Sequence, residues 1–245
     1  EDWKSFGWFL VKLVIVVLLF RTFVFTSFNI PSESMMPRLL VGDYLFAQKW
    51  SYGYSRYSLP FDVDVGDGRV FASLPEHGDV AIFKHPIDKS DYIKRVIGLP
   101  GDTVQMVDGQ LVLNGEPVPK ERIEDFVVEL PVGERCYSGR FAMQTETGMP
   151  ACRYPQYRET LPNGVSYNVL DLGIVGVDNT PPVVVPDGHV FMMGDNRDNS
   201  QDSRRPSVSG GWVGLVPTEN LVAEASFMYW SWGNGVRWNR IFEGI

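Results

Sequence analysis

Past residue 28 the apolar residues come in short runs, and Gly, Pro or Asp closes each run. GDYLFAQKW from Gly42, GDVAIFKHP from Gly78 and DYIKRVIGL from Asp91 are β-branched or aromatic stretches bounded by turn residues, which is the pattern of short strands. Helical spacing of apolar residues is hard to find. From Thr103 to Val118 the chain carries Asp108-Gly109 and Asn114-Gly115, pairs that favour tight hairpins because they accept the positive φ such turns need. The expectation is an all-β fold: a domain of antiparallel sheets over residues 29–245, with an inserted second β-rich lobe at about 103–186. That second stretch is richer in Pro, Gly and charge. With 245 residues, 44% of them hydrophobic, the chain can bury a core in one or two domains.

The first 28 residues read differently. From Phe6 to Phe28 the sequence FGWFLVKLVIVVLLFRTFVFTSF is long enough, at ~1.5 Å rise per residue, to cross a hydrocarbon core of ~30 Å as a helix. Lys12 and Arg21 interrupt it, so at least one cation must lie near an end and snorkel to the interface. A cleaved secretory signal or a buried core helix would share these features. No small-residue cleavage pattern follows, so a retained single-pass transmembrane helix is expected over residues 1–28. Lys4 and Lys12 favour an inside N-terminus, which sets the rest of the chain outside the cytoplasm.

Charge and cysteine usage narrow the partners. A net charge of −8, from 22 Lys and Arg against 30 Asp and Glu, leaves no basic stripe for a phosphate backbone, so nucleic acid is excluded as a partner. Cys136 and Cys152 are the only two cysteines, with no second Cys or His pair nearby to complete a zinc site. They form either a disulfide in an oxidising compartment or two free thiols; the disulfide is expected. The block from Gly194 to Arg204, GDNRDNSQDSR, packs Asp, Asn, Ser and Arg densely enough for a hydrogen-bonded scaffold. As a calcium loop it would lack the closing Glu and central Gly of an EF-hand, and its arginines would repel a cation. No metal or organic cofactor is implied.

Two stretches carry candidate chemistry. Ile30-Pro31-Ser32-Glu33-Ser34-Met35-Met36-Pro37 sets two serines just beyond the apolar segment, and Asp91 to Gly98 embeds Lys94 among apolar and aromatic residues. A serine hydroxyl needs a base to become a nucleophile. His77, His85 and His189 all sit in turn contexts, and no GxSxG elbow is present. A lysine with an unperturbed pKa of ~10.4 is protonated at neutral pH, but burial can lower that value by ~3–5 units and yield a usable base. On a strand Lys94 shares its face with Tyr92 and Val96, while Arg95 points the other way toward the acidic block. Taken alone, Lys94 would read more readily as a snorkelling surface residue.

PSESMMPRLLVGDY, EHGDVAIF, DYIKRVIGLPGD and GDNRDNSQDSR, in that order and spacing, resemble the successive motifs of the bacterial type I signal peptidases, or leader peptidases. The resemblance runs from about Phe28 to Asp102 and from Val190 to Gly214, and the stretch between resembles that family's variable second lobe. Glu33 departs from it, since many members carry Gly between the two serines. So does the single apparent membrane segment, since some members have two.

The resemblance implies a serine endopeptidase with Ser34 as nucleophile and Lys94 as general base. It implies that the Ser32 hydroxyl and the Ser34 N–H stabilise the oxyanion. Ser200 would help orient the lysine, and Asp202, Arg204, Arg95 and Asp195 would hold the strands around it. Phe28, Ile30, Met35, Leu39, Leu45, Ile82, Tyr92 and Ile93 match residues lining two shallow pockets for small side chains at −1 and −3; the same eight also read as ordinary core. The partners implied are preprotein signal peptides, a phospholipid membrane and the protein translocation channel, at the outer side of the bacterial cytoplasmic (inner) membrane. A processing peptidase of a conjugation or organelle system would share this chemistry. A self-cleaving Ser/Lys repressor is disfavoured by the apolar segment and the acidic charge. From another class, an inactive β-domain that binds substrates or assembles the translocation machinery is the competing reading.

Overall fold

The computed structural model describes residues 2–59, 68–131 and 133–245. One helix, α1 (Asp2–Phe23), opens the chain. None of its Trp3–Phe23 stretch is buried, and it is long and apolar enough to cross a membrane. The helix stops at Phe23, and residues up to 28 that were expected to continue it belong to a strand. The alternating Thr26-Ser27-Phe28-Asn29 stretch pairs with the sheet instead, where β-branched and aromatic residues are favoured.

Four strands follow: β1 (Phe25–Asn29), β2 (Asp43–Gln48), β3 (Val80–Lys84) and β4 (Asp91–Gly98). The next eight make up the inserted stretch: β5 (Thr103–Val107), β6 (Gln110–Leu113), β7 (Glu116–Pro117), β8 (Lys120–Glu129), β9 (Ala142–Gln144), β10 (Pro150–Thr160), β11 (Ser166–Leu170) and β12 (Val183–Val184). β13 (His189–Met193), β14 (Val216–Pro217) and β15 (Leu221–Ser231) complete the fold. The main sheet has the order β1-β2-β15-β3-β4-β13-β14, and two smaller sheets run β12-β5-β6-β7 and β11-β10-β8, with β9 on β10. All strand pairs are antiparallel. The expected all-β architecture with one apolar helix is what the chain adopts.

The hairpin signals account for the inserted sheet. Asp108 and Gly109 take φ of 48° and 76°, and Asn114 and Gly115 take 56° and 84°, the paired positive φ of a type I′ turn. Cys136 and Cys152 are joined in a disulfide, which ties the loop before β9 to β10.

Strand alternation builds the core. On β2, Asp43, Leu45 and Ala47 face inward while Tyr44 faces out, the period of two that a half-buried strand requires. Leu45, Ala47, Ile82, Ala223 and Met228 form one apolar cluster on the inner face of the main sheet. Ala81, Phe83, Val96, Met192 and Leu221 form another on the opposite face. Aromatic rings cover the outer face of β1, β2 and β15 where the sheet meets α1. Phe25 lies 5.1 Å from Trp50 and 5.9 Å from Phe20, and Phe46 lies 4.4 Å from Tyr229. The Tyr54 hydroxyl donates to Phe23 O at 2.7 Å, so the helix end is fastened to the sheet.

Candidate active site

The loop between β1 and β2 carries Ser34, and backbone bonds close it at its base. Ile30 N donates to Asp43 O at 2.8 Å and Gly42 N to Ile30 O at 3.1 Å. Glu33–Met35 forms a single 3₁₀ turn, and Pro31 before it favours an extended entry by fixing its own φ. Ser34 is buried. Across from it, Lys94 projects from β4 and is 3% exposed. Their side chains are hydrogen-bonded, Lys94 Nζ to Ser34 Oγ. Ser32 Oγ stands 3.4 Å from Ser34 Oγ.

Burial decides the charge of Lys94. Removing the ammonium from water pushes its pKa down, from 10.5 to about 8, against the opposing pull of Asp202 and Asp195 and with a smaller push from Arg204. When protonated, the amine donates to the serine; when neutral, it accepts the serine O–H, which is the geometry of a general base. Tyr92 flanks it, with Nζ 5.8 Å from the ring centre, as expected for residues on one face of a strand.

The polar block after β13 is the scaffold for both groups. Gly194 N donates to Asp202 Oδ2 at 3.1 Å, and Arg204 grips the same carboxylate through Nε at 2.8 Å and Nη2 at 2.9 Å. Burial disfavours charge on Asp202, but the Arg204 guanidinium outweighs it and holds the carboxyl below its ordinary value. On the other face of β4, Arg95 makes a two-pronged contact with Asp195 at 2.8 and 2.6 Å and covers the Tyr167 ring at 4.2 Å. Such bidentate pairs add geometric specificity. Arg197 reaches Glu159 of β10 at 2.5 Å, and Leu170 N donates to Asp195 O at 2.9 Å, so the block also joins the inserted sheet to the main one.

Several of these contacts involve residues that sequence reasoning had not singled out. Asn196 N donates to Ser34 O at 3.1 Å, Asn196 Nδ2 to Glu33 O at 3.1 Å, and Asn199 Nδ2 to Glu33 Oε2 at 2.8 Å. Glu33 thus occupies its place between the serines by bonding to the block, and burial raises its pKa, with a further push from Glu134. A Cβ on Gly194 would stand 2.5 Å from Ser34 O and 2.3 Å from Ser200 Oγ, so only glycine lets β13 end beside the serine turn. The density of Asn and Gly in GDNRDNS was the available signal for all three residues.

Ser34, Lys94 and Ser32 open onto a cleft of 660 Å³ that is also lined by Tyr92, Ile93 and Ser200. Ser200 Oγ is buried there without a hydrogen-bond partner among the described residues. Of the other expected lining residues, Ile30, Met35, Leu39, Leu45 and Ile82 are buried in the inner apolar cluster, with Phe28 and Ile93 packed at its margin. Tyr137, Val175, Gly176, Val177, Gln201, Arg205 and Trp212 line the cleft as well. Apart from Gln201, which lies in the polar block, they come from loops without periodicity, which left no sequence signal for them. Among the described cleft residues none is a histidine. His77 pairs with Asp102 at 2.6 Å, and His85 is buried against Trp212 O at 3.1 Å. No group of His, Cys, Asp and Glu among the described residues could hold a metal ion.

Comparison with known proteins gives the chain a context. A family model described as "Signal peptidase, peptidase S26" matches residues 3–230. A signal peptidase I of Rickettsia canadensis is 35% identical, with 100% of this chain and 93% of that protein aligned. One from Rickettsia bellii is 34% identical, with 100% and 85% aligned. Among solved structures, a signal peptidase I from Enterococcus faecalis is 23% identical over 62% of this chain and 97% of that one, with a TM-score of 0.32.

Proposed function

The chain belongs to the signal peptidase S26 family of serine peptidases that cleave signal peptides, and from that premise we propose that it does so with Ser34 as nucleophile and Lys94 as general base. The observation that carries this reading is the hydrogen bond between Lys94 Nζ and Ser34 Oγ in a buried setting that lowers the lysine pKa to about 8. At pH 7 about a tenth of such lysines is neutral, enough to accept the serine proton. As Ser34 Oγ attacks the scissile carbonyl, its proton passes to Nζ. The resulting ammonium then gives that proton to the leaving amine, and a water molecule repeats the sequence on the acyl-enzyme.

The oxyanion that forms on attack is stabilised by the Ser32 hydroxyl and the Ser34 N–H. Donors of this kind are worth ~2.7–4 kcal/mol each where mutagenesis has measured them. The Asp202–Arg204 pair and the Arg95–Asp195 pair hold the lysine and serine elements at their separation, and Ser200 lines the cleft beside them. Small side chains at −1 and −3 of the substrate settle against Tyr92 and the margin of the inner apolar cluster, where Phe28 and Ile93 remain partly open. Ile30, Met35, Leu39, Leu45 and Ile82 form the floor beneath them.

The helix Asp2–Phe23 acts as a membrane anchor and the chain from β1 onward as the catalytic domain, with 103–186 as its second lobe. The reading includes an outward-facing domain at the cytoplasmic membrane, working beside the translocation channel. Membrane attachment is supported by the apolar helix, none of it buried, and by the aromatic rings where it joins the sheet, a composition favoured at bilayer interfaces. The test is cleavage of a preprotein by the full chain in detergent, with Ser34→Ala and Lys94→Ala as controls. Full turnover by either variant would sink the proposed chemistry. Orientation is tested separately by protease added outside intact spheroplasts, which should cut this domain without permeabilisation.

A further inference from the structure

The cleft extends beyond the Ser34–Lys94 pair, and one of its walls carries a charge that the proposed chemistry does not use. Arg205 follows Arg204 of the polar block but points away from it, exposed on the loop before β14. Its guanidinium carbon lies 5.2 Å from the Trp212 ring centre. A Cβ on Gly176 would stand 3.2 Å from Arg205 Nη2, so the guanidinium lies over a glycine of the inserted stretch. Arg205 thus reaches across the cleft from one loop to another, stacked on an aromatic face. Stacking of this kind restrains a long side chain and leaves the guanidinium edge free for hydrogen bonding.

Its charge is not neutralised in place. Among the described residues no carboxylate pairs with Arg205, although two line the same cleft. Asp91 is paired with Lys84 at 2.9 Å. Asp198 Oδ2 accepts the N–H groups of Leu172 at 2.6 Å and Gly173 at 2.9 Å, which ties it to the second lobe, while its Oδ1 is buried and pairs with no described residue, Arg205 included. Lys94 is the other cation lining the cleft and is buried. Arg205 is therefore the exposed cation of the described cleft, in a chain whose net charge is −8. A restrained, unpaired guanidinium beside a nucleophile is complementary to a carboxylate side chain on the bound peptide.

We propose that Arg205, stacked on Trp212 and lying over Gly176, is a specificity-determining residue that takes an acidic side chain of the substrate. This rests on the peptidase reading and adds to it a subsite apart from the pockets for −1 and −3. Small residues in those pockets tell the enzyme little about the rest of the peptide. A charged contact elsewhere in the cleft would discriminate between peptides alike at −1 and −3.

The experiment measures kcat/KM of the full chain in detergent micelles on one parent signal peptide and on matched peptides carrying Asp or Lys. Each position outside −1 and −3 is varied in turn. Only the Asp-to-Lys ratio within each enzyme is compared, so any loss of folded protein cancels. At one position the wild type should favour Asp by roughly 5- to 10-fold, as expected for a partly screened ion pair gained in one peptide and a repulsion in the other. Arg205→Gln should flatten that ratio and Arg205→Glu should invert it. The wild-type preference should also shrink as salt shortens the screening length. The same ratio in wild type and Arg205→Glu at every position overturns the subsite while leaving the peptidase intact. Failure of the wild type to cleave the parent peptide overturns the peptidase reading itself.

Discussion

Replacing Lys94 by Met should stabilise the protein while abolishing its proposed chemistry. In the folded state the lysine pKa falls from 10.5 to about 8 because the ammonium is buried. At 1.36 kcal/mol per pH unit, that gap corresponds to about 3 kcal/mol against the charged folded form. Methionine has a similar unbranched shape and no charge, so it escapes this cost. It also forfeits the hydrogen bond to Ser34, worth about 1 kcal/mol, which leaves a net gain of about 2 kcal/mol near pH 7. The sign follows from linkage. Below pH 8 both states of the wild type hold the proton and the full penalty is present. Between pH 8 and 10.5 the folded state releases a proton that the unfolded state keeps, so wild-type stability rises with pH. The methionine variant has no such rise, and its advantage should fade toward pH 10. Urea unfolding of both full chains in micelles, followed by tryptophan fluorescence at several pH values, measures the difference. A variant less stable than wild type at pH 7, or an advantage that does not shrink by pH 10, would refute the claim that burial lowers this pKa.

Three other outcomes are expected. The rate of peptide cleavage should rise with pH through about 8, as Lys94 loses its proton, and replacing His77 or His189 by Gln should leave that limb in place; a pH–rate series in which the limb disappears would argue for a histidine base. Glu159→Gln should cost about 3–5 kcal/mol, because the Arg197–Glu159 pair is buried, at 4% and 0% side-chain exposure, and the variant removes the guanidinium's ion-pair partner; a thermal scan with an unchanged midpoint would contradict this. Gly194→Ala should lower kcat on the order of a hundredfold by displacing the Ser34 turn, and near-normal turnover would show that the turn can relax.

The fold was legible where local chemistry and global structure agree. Asp108-Gly109 and Asn114-Gly115 dictate their turns because only such residues adopt paired positive φ cheaply, and both are found as turns. GDVAIFKHP and DYIKRVIGL contain β3 and β4, which pair with each other. The end of α1 was less legible. Residues up to Phe28 read as part of the apolar segment, and only pairing with β2 made the stretch from Phe25 a strand. The alternation expected around Lys94 is also present, with Lys94 and Arg95 on opposite faces of β4 and in contact with different partners.

By itself the sequence determined which residues are candidates for the chemistry and how the chain is patterned, because side-chain type, turn preference and strand alternation are local properties. It also determined that an apolar segment precedes the domain. The tertiary structure alone decided how Ser34 and Lys94, 60 positions apart in sequence, meet, and that Asn196, Asn199 and Gly194 hold the serine turn in place. It decided, too, that Tyr137, Gly176, Arg205 and Trp212 share one cleft. These are contacts between loops distant in sequence, and no periodicity announces which loops will meet. The pKa of Lys94 belongs to the same class, since desolvation depends on everything packed around a group and on nothing in its immediate neighbours along the chain.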